Sequence, residues 1–299
     1  MFPRLALALL AIGICTSAAR GQVTAPVDPL TVADDDFARH RDPAEWRGLR
    51  VTRMEFTEER AAWRLWRIAD PARPRGPLWF VPHDDENAAF DAALAGLRKY
   101  GGVLIAVDSG IAPESDGRRR NAAVTRGRTI DPNRNFDGAI PLFAESVLGE
   151  YRRGARPIVA LHTNSPGFDT ARSRCNRDDP PGEGRISIRY CDPVMQPVPS
   201  PAALWPFDDP DTLAIVAHRH AAARWSGYCG KALEQAGFNL VFERVLTSDG
   251  SLSNHALLRG LDYVNFETRD LGLDPAGLAE ASGRLTAMID RALPLCQHR

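Results

Sequence analysis

Residues 77–107 read PLWFVPHDDENAAFDAALAGLRKYGGVLIAV, and this stretch decides the fold. Leu78, Trp79, Phe80 and Val81 form a continuous apolar run, the pattern of a strand buried on both faces. From Asn87 to Tyr100 the apolar residues take helical spacing at Phe90, Ala93, Leu94 and Leu97. Gly101-Gly102 ends that helix, and Val103 to Val107 reads as the next strand. Alternation of this kind argues an α/β sheet with helices on its faces.

His83 and Glu86 lie where the first strand gives way to the helix. Two ligating side chains three residues apart are neighbours on one helical turn, so both can face one metal. Alone the pair is a weak signal, because with 7 His and 38 acidic residues about one such pair is expected by chance. Two ordinary helix-start residues are the plain alternative.

Working outward, the same rhythm continues. Val51–Phe56 and Ala61–Ile68 read as strands joined by a short turn, Ile140–Tyr151 as a helix and Pro157–Leu161 as a buried strand. The spacing further predicts a helix over 211–236, a strand over 239–244, a loop, a strand over 263–266 and a closing helix over 275–293. Residues 20–48 are polar and read as a loose lead-in. Residues 165–210, rich in proline and holding two cysteines, read as a long insertion.

Three further segments carry chemistry. His162 closes the run Ile158-Val-Ala-Leu161, at the strand end where open α/β sheets bind ligands. With His83 and Glu86 it makes two imidazoles and one carboxylate, the ligand set of an open zinc site. Glu267 ends another apolar strand and can move a proton; its plain alternative is an ion pair with Arg269. Asn133 and Arg134 follow a turn at Asp131-Pro132. Arginine matches a carboxylate with two parallel bonds, and a structural salt bridge is the alternative. Arg118, Arg119, Arg120, Arg126 and Arg128 lie just upstream, where one can polarise a carbonyl. His218 and His220, two apart on the expected helix, face different ways and read as non-ligands. His255 lies near the Glu267 segment.

In this order the segments resemble those of the zinc carboxypeptidase (funnelin) superfamily, which includes cell-wall peptide carboxypeptidases and aspartoacylase/succinylglutamate desuccinylase-like deacylases. The resemblance covers roughly residues 50–293. It implies a mixed, mostly parallel central sheet with helices on both faces. It implies one zinc on His83, Glu86 and His162, with Glu267 as base and then acid. Asn133 and Arg134 would hold a substrate carboxylate, and Arg126 would stabilise the oxyanion, with Arg120 a poorer fit. The family's capping tyrosine has no counterpart among residues 245–249, so the clamp must differ or come from elsewhere, with Tyr228 and Tyr190 as candidates. The specificity residue falls among Leu252, Ser253 and His255.

The function implied is a zinc metallocarboxypeptidase acting on a peptide with a free carboxylate, such as a cell-wall peptide. A zinc-dependent N-acyl amino acid deacylase is the second reading, and a catalytically silent binding module on the same fold the third. A net charge of −1 gives no argument for nucleic acid or an acidic membrane surface. Residues 1–19 read as a secretory signal, with Arg4 before an apolar run and small residues at 16–19, so the expected location is periplasmic or secreted, without stable membrane insertion. Residues 49–299 then form a single catalytic domain. Four cysteines remain, Cys175, Cys191, Cys229 and Cys296, and an exported chain is expected to pair them, first as Cys175–Cys191 and second as Cys229–Cys296.

Overall fold

The computed structural model describes residues 22–59, 61–111, 118, 130–138, 140–164, 186, 194–219, 225 and 227–296. The proposed signal segment, Arg120, Arg126, Cys175, Tyr190, Cys191 and His220 lie outside them. Among the described residues, ten strands form one sheet. They are β1 (Val23–Pro26), β2 (Arg50–Glu58), β3 (Ala61–Ala69), β4 (Leu78–Val81), β5 (Val103–Val107), β6 (Ile158–Asn164), β7 (Met195–Val198), β8 (Leu213–His218), β9 (Leu240–Arg244) and β10 (Tyr263–Arg269). Their order across the sheet is β1-β2-β3-β5-β4-β6-β10-β8-β9-β7. The helices are α1 (Asp35–Ala38), α2 (Pro43–Trp46), α3 (Asn87–Tyr100), α4 (Pro141–Arg152), α5 (Gly230–Gln235), α6 (Leu252–Arg259) and α7 (Pro275–Cys296).

The sheet is mixed, as expected, but it is not mostly parallel: among the described residues four strand pairings are parallel and five antiparallel, with the parallel ones concentrated at the centre. β5, β4, β6 and β10 run parallel, as do β8 and β9. The pairs β1–β2, β2–β3, β3–β5, β8–β10 and β7–β9 are antiparallel. The β2–β3 turn is too short for a crossover, so that pair can only be antiparallel.

Alternation along the central strands feeds two cores. Trp79, Val81, Leu161 and Phe266 pack on one face with Phe90, Leu94 and Leu97 of α3 and Leu285, Met288 and Ile289 of α7. Leu78, Phe80, Ile158, Ala160 and Tyr263 pack on the other with Phe143 and Val147 of α4 and Leu252 and Ala256 of α6. Each large side chain so buried contributes about 1.5–3 kcal/mol. The α3–β5 turn needs its glycine: Gly102 has φ +95°, and a Cβ there would lie 1.9 Å from the Pro77 carbonyl oxygen.

Four further expectations are corrected. Residues 211–236 are not one helix but β8 followed by the short α5, and His218 ends a strand. Leu213–Val216 is a short apolar run, which periodicity alone cannot assign between buried strand and buried helix. The loop expected before β10 contains α6, which Ser251 caps by accepting from the Asn254 amide at 3.2 Å and which Gly260 ends in the left-handed region. The lead-in is ordered: β1 adds to β2, Phe37 and Trp46 join the core, and Arg39 bonds Asp36 and Asp91. Within 165–210, residues 195–198 form β7, an edge strand against β9. Cys229 and Cys296 are joined as a disulfide.

Candidate metal centre

The turn after β4 places His83, Asp84 and Glu86 before α3. Glu86 stands at the N-cap of α3 yet makes no capping bond. Its carboxylate turns to the histidines instead: Oε1 lies 2.8 Å from His83 Nδ1 and Oε2 lies 3.1 Å from His162 Nδ1. The two Nδ1 atoms are 3.3 Å apart. His83, Glu86 and His162 are 3%, 2% and 2% exposed. Burial alone would raise the Glu86 carboxyl, but the charges of His83 and His162 and their hydrogen bonds hold it well below the usual range.

The donor set fits a zinc ion. Tetrahedral zinc with bonds of about 2.0–2.1 Å separates its ligand atoms by roughly 3.3–3.4 Å. The two imidazole nitrogens stand 3.3 Å apart. His83 Nε2 lies 3.0 Å from Asp131 Oδ1, so a proton on Nε2 donates to that carboxylate and leaves Nδ1 as a lone-pair donor. Burial raises the Asp131 carboxyl and the His83 hydrogen bond outweighs it, bringing it down to about 2. In sequence Asp131 reads only as part of a turn. Its spacing two residues before Asn133 was the available signal.

Asp131 also accepts from the Asn133 amide at 2.9 Å, starting the short 3-10 turn Pro132–Arg134 that presents Asn133 and Arg134. Gly250 packs on this turn. Its φ is +81°, a Cβ would fall 2.6 Å from the Arg134 carbonyl oxygen, and its own carbonyl accepts from the Phe136 amide at 3.0 Å. The Arg134 guanidinium is half-exposed and pairs with Asp249 at 2.7 Å. It therefore sits at the surface with one carboxylate already beside it.

Glu267 faces His162 directly: the two are register partners on the parallel strands β10 and β6. Glu267 is buried and accepts from Asn265 Nδ2 at 2.9 Å. Arg269 lies 3.0 Å from Asp209. Strand register thus brings the carboxylate beside the triad.

Asp84, between the two outer ligands, is clamped. Ser109 Oγ donates to it, and the Arg118 Nε donates at 3.2 Å. Arg118 also bonds Asp35 of α1 at 2.7 Å and the Asp84 carbonyl at 2.6 Å. Arg118 is thereby a buried structural cation. Asp34, Asp84 and Asp108 form a second acidic group, with Arg64 3.3 Å from Asp108.

Other expected residues take other roles. The Tyr228 hydroxyl donates to the Cys296 carbonyl at 2.7 Å, so it serves the disulfide end of the fold and does not replace the missing tyrosine. Leu252 is fully buried in the core, and His255 lies 3.4 Å from Asp137. Ser253 Oγ donates to Glu243 at 3.2 Å.

No family model and no curated protein matches the chain. Solved structures do. Succinylglutamate desuccinylase from Chromobacterium violaceum is 16% identical over 78% of this chain and 67% of that one, with a TM-score of 0.39. A metallopeptidase candidate from Shewanella denitrificans is 13% identical over 88% of this chain and 90% of that one, with a TM-score of 0.39. An aspartoacylase family protein from Mesorhizobium loti is 14% identical over 84% and 69%, with a TM-score of 0.37.

Proposed function

We propose that this chain is a zinc-dependent hydrolase that removes a C-terminal residue from a peptide. The observation that carries this reading is the convergence of His83, Glu86 and His162, with Glu267 in register beside His162. A zinc ion on the three ligands would supply Lewis-acid polarisation and a water of lowered pKa.

The chain's own residues do the rest. Arg134, with Asn133, exchanges Asp249 for the free carboxylate of the substrate and so fixes which amide bond reaches the triad. Glu267 takes a proton from the attacking water and gives it to the departing nitrogen, so no proton is gained or lost overall. Asn265 holds the Glu267 carboxylate in one orientation. Arg126 keeps its proposed part, polarising the scissile carbonyl. The Cys229–Cys296 disulfide and the signal-like residues 1–19 support a periplasmic or secreted enzyme.

Removing and restoring zinc tests the reading. Dialysis against a chelator should abolish release of the C-terminal residue, and stoichiometric zinc should restore it. Release that persists at full rate in metal-free protein would refute it.

A further inference from the structure

Two buried groups on the Glu267 side of the sheet have a polar atom with no hydrogen-bond partner among the described residues. Tyr263, Asn265 and Glu267 alternate along β10 and share one face with His162. Asn265 Nδ2 donates to Glu267, which turns its Oδ1 the other way, and that buried oxygen has no partner among the described residues. The Tyr263 hydroxyl, in a residue 7% exposed, has none either. Native folds seldom bury polar atoms unsatisfied, because each costs about 1–3 kcal/mol.

Glu243 adds a carboxylate to the same face. Ile215 lies opposite Asn265, and Ala217, two residues on along β8, lies opposite Glu243 of β9. Its two oxygens each take one bond from α6, Oε2 from Ser253 Oγ at 3.2 Å and Oε1 from Asn254 Nδ2 at 3.1 Å. Among the described residues no arginine, lysine or histidine comes within ion-pair distance of it. Burial is the main reason its carboxyl is raised, with Asp249 adding to the effect. Asp249 and Arg134 act electrostatically on both Glu243 and Tyr263, so these groups surround the carboxylate-anchoring arginine.

We propose that Glu243, Tyr263 and Asn265 form the subsite for the released residue, and that this residue carries a primary amine on its side chain. Two acceptors and one hydroxyl match a group with three donors and a positive charge, which is an ammonium. A part-buried carboxylate with no cation within ion-pair distance among the described residues would gain its partner from such a ligand. An aliphatic side chain would leave the Tyr263 hydroxyl and Asn265 Oδ1 unsatisfied, and an acidic one would meet Glu243 as a like charge. This inference rests on the exopeptidase reading above.

The test is the specificity constant of the zinc-loaded protein on three peptides identical except for C-terminal lysine, norleucine or glutamate. Sites built to hydrogen-bond a polar group reject analogues that lack it. Lysine should exceed norleucine by about tenfold or more, with glutamate lowest. Glu243→Gln should bring the lysine-to-norleucine ratio to within about threefold of one. Equal wild-type rates on lysine and norleucine, or preference for glutamate, would overturn the subsite while leaving the exopeptidase standing. A ratio unchanged in Glu243→Gln would overturn the role of Glu243. No cleavage of any peptide would remove both readings. The wild-type comparison does not depend on how well the variant folds.

Discussion

At the residue scale, activity depends on which groups bind and which move protons. Glu267→Gln keeps size and hydrogen bonding but cannot accept the proton. Turnover should fall by about 10²–10⁴-fold or more, with zinc content unchanged; near-normal turnover would place the base elsewhere. His162→Ala should lose both zinc and activity, because three ligands are the usual minimum for a catalytic site. Stoichiometric zinc in that variant, measured by elemental analysis, would remove His162 from the ligand set. These residues were legible because each closes an apolar run or opens a helix. Tyr263, Asn265 and Glu243 were not. Their juxtaposition depends on the β10-β8-β9 register, and β8 is the segment whose short apolar run read as helix. Asp131 was half legible: its place in a turn was visible, its bond to His83 was not.

At the element scale, the lead-in braces the turn that carries His83 and Glu86. Asp34 caps α1 by accepting from the Asp36 amide at 2.9 Å, close to Asp84 and Asp108. Burial first, and then the charges of Asp84 and Asp108, push its carboxyl up to about 7. Asp35 adds negative charge from α1 and the Asp36 amide opposes the rise, while Arg118 pairs with Asp35 and Arg64 with Asp108. A carboxyl raised on folding holds its proton more tightly in the folded chain, so its contribution falls as pH rises from about 4 to about 7. Asparagine also caps a helix. Asp34→Asn should therefore match wild type near pH 4 and be more stable by about 1–2 kcal/mol at pH 8, after allowing for partial exposure. A difference constant across that range, read from denaturant melts, would show that Asp34 is not the source. Such bracing was invisible in sequence because residues 20–48 lack periodicity, and their order comes from contacts with α3 and the β4–α3 turn. The elements within 77–107 were legible to the residue at α3 and β5, because local apolar spacing and a glycine pair fix them without tertiary help.

At the scale of the whole molecule, the disulfide ties α5 to the end of α7 across 67 residues. Chain-entropy reasoning gives such a loop about 4 kcal/mol. Cys296→Ser should lower the melting temperature while leaving zinc binding intact, since the bond lies apart from the triad. An unchanged melting temperature would mean the bond is not formed in the purified protein. The central claim is that the triad, Glu267 and Arg134 together make an exo-acting enzyme. Its most direct test compares one peptide as the free acid and as the C-terminal amide, with products read by mass spectrometry. Arg134 is half-exposed, so the loss of its partner is expected to cost less than for a fully buried pair. The account predicts release of a single C-terminal residue from the free acid at a rate about tenfold or more above any release from the amide. Equal cleavage of both, or cuts at internal bonds, would contradict it.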